Sequence, residues 1–347
     1  MSFIRKAIKS MDGYTPGEQP GQGKFIKLNT NENPYPPSPA VKAAVIEAIE
    51  RLPRYPDSLA TSFRLAAASV LNVDPEQILC GNGSDDLLTI LTRAFVEPGA
   101  KLRLPYPSYV LYKTLALLQG AEPDEQPLTA DWLPSAAFAA SQDGVQLAFL
   151  PNPNSPTGTR APREVVEATA KSIGCPLIVD EAYVDFAEEH CLPLVDSCSN
   201  VIVTRTLSKS YALAGLRFGY LVAPTELVVE LRKVKDSYNC DTLSIAAATA
   251  AIMDQSWFEE NRRRIVATRQ RLTVALRELG FSVIDSEANF VWCEHSSAGA
   301  QPLFQQLKDR GVLVRYMKYS RWREGLRISI GTDEQIDALL SLLPQLV

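Results

Sequence analysis

Three short segments of this chain combine residue types that can do chemistry together. Leu177-Ile178-Val179 runs into Asp180, with Tyr183 close behind; Val201 to Arg205 runs into Ser208-Lys209 and then Arg217; Ile78 to Gly81 runs into Asn82-Gly83-Ser84-Asp85. Each follows an apolar, β-rich run, and in open α/β sheets ligands sit beyond the carboxyl ends of strands, so all three can reach one site. Pyridoxal phosphate asks four things of a protein: a lysine for its aldehyde, a carboxylate at its ring nitrogen, a polar group at its phenolic oxygen and an anion site for its phosphate. Lys209, Asp180 and Tyr183 supply the first three. Gly83, Ser84 and Asp85, opening a helix, offer backbone N–H donors and a hydroxyl to the phosphate. Ser208 and Arg217 add a second hydroxyl and a charge-assisted contact.

Taken singly, each piece has a plainer reading. Gly83-Ser84-Asp85 is as readily a helix N-cap, a carboxylate at a strand end is commonly a cap, and an isolated lysine is commonly a solvated charge. Order and spacing raise the chemical reading above these, because each group follows its own strand.

The elements that must position these groups follow from hydrophobic patterning. The candidate strands are QILCG, KLRLP, VQLAFL, PLIVD, NVIVTR and RFGYLVA. Helical stretches lie between them at Asp85–Phe95, Tyr109–Leu118, Arg163–Ile173 and Thr225–Lys235, after earlier ones from Ser38-Pro39 and over Leu59–Leu71. Short β-rich runs separated by helices imply an α/β fold: a mainly parallel central sheet flanked by helices. RFGYLVA follows NVIVTR after too short a gap for a crossover helix, so one antiparallel strand is expected there. Residues 1–37, rich in Gly, Pro and Asn, read as an irregular arm; 38–245 form the large domain and 246–347 a smaller α+β domain packing with the arm. That last part opens with helices at Ala246–Met253 and Trp257–Leu279, the second carrying Arg262-Arg263-Arg264 as a solvated face.

Composition narrows the remaining classes. The chain has 347 residues, 46% hydrophobic and 22% charged, and only two histidines, His190 and His295. A multi-histidine zinc site is disfavoured, and a general base is expected from Lys, Tyr, a carboxylate or a cofactor. With 35 basic and 40 acidic residues the net charge is −5, and no stretch forms a phosphate-backbone footprint, so neither nucleic acid nor, given the apolar run lengths, a membrane is an expected partner. Six scattered cysteines without a C-x-x-C pair, and an N-terminus without a signal-peptide pattern, fit a cytoplasmic protein with reduced thiols. No G-x-G-x-x-G follows the first strands, which disfavours a dinucleotide dehydrogenase.

Together NENPYPPSP, GNGSDD, NSPTG, DEAYVDF, TLSKSYALAGLRFGY and GLRISIGT resemble the fold-type-I pyridoxal-phosphate aminotransferases, and within them the histidinol-phosphate aminotransferase family. The resemblance spans about Tyr14 to Gly331, and the block around Lys209 is its most specific part. It implies a homodimer in which Tyr55 of RYPD reaches the phosphate of the neighbouring subunit's cofactor. It implies that Tyr109 of PSYVLY stacks on the pyridine ring, that Asn33 lies at the substrate mouth and that Tyr14 closes over it. By the same likeness Arg327 takes a substrate carboxylate and Arg315 the phosphate end of histidinol phosphate. The family usually has Asn directly before Pro-Thr-Gly to bind the phenolic oxygen. Here Ser155 holds that place, with Asn154 one residue earlier: either the serine hydroxyl substitutes or a small local shift brings Asn154 into place.

The implied reaction is amino transfer from histidinol phosphate to 2-oxoglutarate in histidine biosynthesis, with Lys209 as base and no metal. The rivals are an aromatic amino acid aminotransferase, a phosphothreonine-type decarboxylase on the same scaffold, and a non-enzymatic cofactor-binding regulator.

Overall fold

The computed structural model describes residues 3–9, 11, 17–19 and 25–347. Tyr14 lies outside the described residues.

Seven strands form the main sheet: β1 (Ile78–Gly81), β2 (Lys101–Tyr106), β3 (Glu122–Pro127), β4 (Val145–Pro151), β5 (Leu177–Asp180), β6 (Val201–Thr206) and β7 (Gly219–Val222), in the spatial order β1-β7-β6-β5-β4-β2-β3. All neighbours are parallel except β7, which runs antiparallel to both β1 and β6, as the short gap before it required. Because strand side chains alternate, each central strand feeds two cores. Leu177, Val179, Val201 and Val203 join one cluster with Phe63, Val166 and Ala248. Ile178 and Ile202 join the other with Leu87, Tyr112 and Val228. Burial on both faces explains why these strands read as continuous apolar runs rather than as alternation.

β3, Glu-Pro-Asp-Glu-Gln-Pro, has no such signature and was not foreseen. It is an edge strand, partly exposed along its length, where prolines and charges are tolerated because no second neighbour needs their N–H groups. The helix opening at Thr225 also ends early, at Leu231.

A second, antiparallel sheet contains β8 (Ser282–Ile284), β9 (Phe290–Glu294), β10 (Arg315–Lys318) and β11 (Glu324–Ser329), ordered β10-β11-β9-β8. It packs against the long helix Gln255–Glu278 and the helices Ala300–Asp309 and Asp333–Leu342 around one apolar cluster, which Leu28 of the arm also enters. The arm is not wholly irregular: Lys6–Lys9 is helical, and Ile26–Lys27 pairs in parallel with Val312–Leu313. The expected division at 245 falls inside the helix Thr242–Met253. That helix buries Ile245, Ala248 and Ile252 in the first unit's core, so the apolar contacts change only at the following helix.

The hairpin between β10 and β11 reaches back to the large unit. Trp322 meets Trp132 of the large unit edge-on at 5.1 Å and lies tilted on Trp292 of its own sheet at 4.9 Å, while the Arg321 guanidinium lies 4.2 Å from the centre of the Tyr106 ring and pairs with Glu125. Trp322→Ala removes the aromatic contacts at this junction, each worth about 0.5–1.5 kcal/mol beyond area burial. A fall in Tm of roughly 2–4 °C is expected by calorimetry; no fall would show that the hairpin does not couple the units.

Among the described residues no helix is long and apolar enough to cross a membrane, and no cluster of His, Cys, Asp and Glu could hold a metal.

Candidate active site

The carboxyl ends of β1, β5 and β6 open onto a cleft with about 220 Å³ of free volume. Ser84, Asp85, Tyr109, Ser155, Asp180, Tyr183, Ser208, Lys209, Arg217, Arg315 and Arg327 all line it. These residues come from segments spread over most of the chain, and the strand ends bring them to one place.

At one end lies an anion cradle. Gly83 adopts φ +83° directly before the helix Ser84–Phe95, and a Cβ there would fall 2.5 Å from Arg217 Nη2. Gly219 of β7 packs so tightly beneath this turn that a Cβ would sit 2.7 Å from the Ser84 nitrogen. Arg217, itself in the left-handed region at φ 53°, donates from Nη1 to Ser208 Oγ at 3.3 Å and faces Asp85 Oδ2 at 3.5 Å. A strained non-glycine residue that directs a guanidinium at a helix start is the kind of outlier that gathers at functional sites. Half-exposed, the Arg217–Asp85 pair contributes little to stability, so the arginine is available to an anion.

Asp180 forms the floor. Its partner across the sheet, Thr204, donates from Oγ1 to Oδ1 at 3.2 Å; Tyr112 donates from its hydroxyl to Oδ2 at 2.6 Å; the Ala182 backbone N–H donates as well. Burial raises the carboxyl pKa to about 6 against these hydrogen bonds, with Asp85 adding to the rise. Among the described residues no cation pairs with it. The adjacent Glu181 lies outside the cleft lining and is paired with Arg205 at 2.8 Å. A buried carboxylate held by neutral donors and open to a cleft suits a ring N–H, so the residues present fit pyridoxal phosphate.

Lys209 is half-buried, with Nζ 3.4 Å from the Thr30 carbonyl and 5.8 Å from the centre of the Tyr183 ring. Tyr109 donates to Asp85 at 3.3 Å and sets its ring edge-on to Tyr112.

The small unit supplies the far wall. Arg315 and Arg327 are direct cross-strand partners of β10 and β11. Arg327 donates from Nη1 to Ser155 Oγ at 3.0 Å and from Nη2 to the Asn29 carbonyl at 3.3 Å, while its buried Nε has no hydrogen-bond partner.

Three expected residues stand elsewhere. Asn154 turns from the cleft, donating to the Pro107 carbonyl at 3.2 Å and to Thr157 at 3.0 Å; Ser155 is the one that faces inward. Asn33 does not line the cleft. It donates to the backbone carbonyls of Lys209 and Ser210 at 3.0 and 2.9 Å, and so clamps the lysine's main chain. Tyr55 is 81% exposed and stacks on Tyr238 at 4.5 Å, outside the cleft of its own chain.

Other groups escaped sequence reasoning. Asn31, at φ 55°, donates to the Tyr183 hydroxyl at 3.0 Å and accepts from Ser329 at 2.9 Å, joining arm, large unit and small unit at one side chain. The run NTNEN had drawn attention to Asn33 alone. Thr204 and Tyr112 gave no signal beyond their place in an apolar strand and helix.

Comparison with known proteins identifies the family. The pattern of the aminotransferase class I and II family matches residues 23–343. The histidinol-phosphate aminotransferase of Rhodopirellula baltica is 53% identical over 98% of this chain and 94% of its own. The crystal structure of histidinol-phosphate aminotransferase from Sinorhizobium meliloti in complex with pyridoxal-5'-phosphate superimposes with a TM-score of 0.90 at 28% identity, covering 100% of this chain and 98% of that one. An aspartate aminotransferase variant from Thermus thermophilus shares the fold, with a TM-score of 0.85 at 21% identity and full coverage of both chains.

Proposed function

Because the chain belongs to the class I and II aminotransferase family, we propose that it transfers the amino group of histidinol phosphate to 2-oxoglutarate in histidine biosynthesis, with pyridoxal phosphate as cofactor. It is a pyridoxal-phosphate-dependent transaminase.

The observation that carries the substrate assignment is the Arg315–Arg327 pair. Like charges directly opposite on neighbouring strands destabilise a sheet, and their retention at a cleft suits a ligand rich in negative charge. Histidinol phosphate and 2-oxoglutarate each carry two negative charges. Phenylalanine offers one carboxylate.

When bound, pyridoxal phosphate supplies the electron sink that lets the substrate α-proton leave. Ser84, Ser208 and Arg217 would hold its phosphate, and Asp180 would keep a proton on the ring nitrogen. Tyr183, positioned by Asn31, and Ser155 would serve the phenolic oxygen. Lys209 would hold the aldehyde carbon, and its Nζ would take the proton from the substrate α-carbon as general base. Arg327 orients a carboxylate by two parallel N–H donors, and Arg315 takes the phosphate end. Ping-pong kinetics follow, since both half-reactions use one cleft.

The active unit is a homodimer in the cytoplasm, with Tyr55 serving the cofactor phosphate of the neighbouring subunit. Support comes from the exposed apolar surface of Ile46, Ile49 and Leu52 near the exposed Tyr55.

A donor panel with 2-oxoglutarate tests the assignment. Histidinol phosphate should exceed phenylalanine and tyrosine in kcat/KM by about 10²-fold or more, on the order of one lost pair of charged hydrogen bonds. Arg315→Ala should remove most of that margin while changing phenylalanine turnover by less than about threefold. A preference for phenylalanine would sink the substrate assignment in favour of an aromatic aminotransferase. Carbon dioxide release without a keto acceptor would mark a lyase.

A further inference from the structure

Tyr112 lies one helical turn beyond Tyr109, at the start of the helix Val110–Gln119. Its ring is fully buried and stacked on Phe149 at 4.7 Å with the planes 20° apart. Strand alternation decides what it can touch. Asp180 is on the same face of β5 as Ile178, which packs in the cluster that holds Tyr112 and Phe149, whereas Leu177 and Val179 point the other way. The tyrosine hydroxyl therefore meets Asp180 Oδ2, and at 2.6 Å the contact is in the range of an O–H donor on an ionised carboxylate.

We propose that Tyr112 is a positioning residue for the transamination, which aims the Asp180 carboxylate and weakens its basicity so that the proton shared with the cofactor ring stays on the ring nitrogen. The inference deepens the reading of the site given above and rests on it. With Thr204 on Oδ1, Tyr112 is the side-chain donor on Oδ2. A carboxylate stripped of that donor is a stronger base. It competes better for the ring proton, and the ring becomes a poorer electron sink. The titratable and charged groups that share the cleft with Asp180 are Glu32, Asp85, Tyr109, Tyr183, Lys209, Arg217, Arg315 and Arg327, and Tyr112→Phe leaves all of them in place.

The test compares Tyr112→Phe with wild type in steady-state kinetics and by three further readouts. The first is pyridoxal phosphate affinity by equilibrium dialysis. The second is the pH dependence of the bound cofactor's visible absorbance. The third is melting of the cofactor-free protein at pH 5 and pH 8. Loss of one hydrogen bond to a charged group should weaken cofactor binding about tenfold. It should lower kcat by about tenfold with KM for the donor changed less than twofold, and shift the absorbance titration. The cofactor-free variant should lose more Tm at pH 8, where the carboxylate is charged, than at pH 5. A purely structural hydroxyl would cost the same Tm at both pH values and leave affinity and absorbance unchanged, and that pattern overturns the proposal. If wild type itself takes up no pyridoxal phosphate, the reading of the site fails and this inference with it. If wild type binds and Tyr112→Phe matches it, the inference alone fails.

Discussion

Replacing Lys209 with alanine is expected to lower kcat by about 10⁴-fold or more, because in the proposed reaction one amine both holds the cofactor carbon and serves as the base. The cleft should still retain pyridoxal phosphate more weakly. Its phosphate cradle of Ser84, Ser208 and Arg217 and its Asp180 floor belong to other segments, which the substitution does not touch. Borohydride treatment followed by peptide mapping should place the cofactor on Lys209 in wild type and nowhere in the variant. Residual turnover within tenfold of wild type would exclude Lys209 as the base. The clamp on this residue explains why a long, flexible side chain can serve: Asn33 fixes the carbonyls of Lys209 and Ser210, and the Ser210 hydroxyl donates to Asp185. The main chain is held, and only the side chain moves.

Asp180→Asn is expected to lower kcat by about 10²–10³-fold, the usual cost of removing one preorganised electrostatic partner. The order of stability between wild type and variant should also reverse between the cofactor-free and the cofactor-bound proteins. The folded-state pKa of Asp180 is raised from 3.8 to about 6, chiefly by burial. Between about pH 4 and pH 6 the folded chain holds a proton that the unfolded chain has lost. This group's contribution to stability is therefore fully present below pH 4 and is lost as pH rises through 6. The shift corresponds to on the order of 3 kcal/mol. Cofactor-free Asp180→Asn should lack this decline and melt higher than cofactor-free wild type at pH 7–8. With saturating pyridoxal phosphate the wild type should melt higher, because binding to the folded state restores what the buried charge costs. Calorimetry across pH 4–8, with and without the cofactor, reads both effects. A cofactor-free wild type whose Tm does not fall relative to Asp180→Asn across that window would show that Asp180 is not the buried, uncompensated carboxylate described here.

Much of this site was legible because its reactive groups are tied to local patterns. Apolar runs ending in Asp180 and in Ser208-Lys209 announce strand ends, and a strand end in an open sheet is where ligands sit. Gly83-Ser84 announces a helix start. These are short-range signals, and the groups they mark do line one cleft. The supporting groups were not legible, because their partners are far away in sequence. Asn31 reaches Tyr183 across 152 positions, Tyr112 reaches Asp180 across 68, and Asn33 reaches Lys209 across 176. Edge strand β3 was hidden for a different reason: strands with one neighbour do not need an apolar signature.

The amino-acid sequence by itself determined the parallel α/β architecture, the antiparallel return of β7, and the choice of Lys209, Asp180, Ser84 and Arg217 as groups that meet at one cleft. Each is written in periodicity or in a motif confined to a few residues. The tertiary structure alone decided that Ser155 and not Asn154 faces the cleft, that Asn33 grips the lysine's backbone, and that Arg315 and Arg327 stand opposite one another. It also decided that Tyr112 meets Asp180. The physical reason is common to all four. A side chain's direction follows from strand register, from the pleat and from the packing of distant elements, and none of these is encoded within reach of the residue concerned.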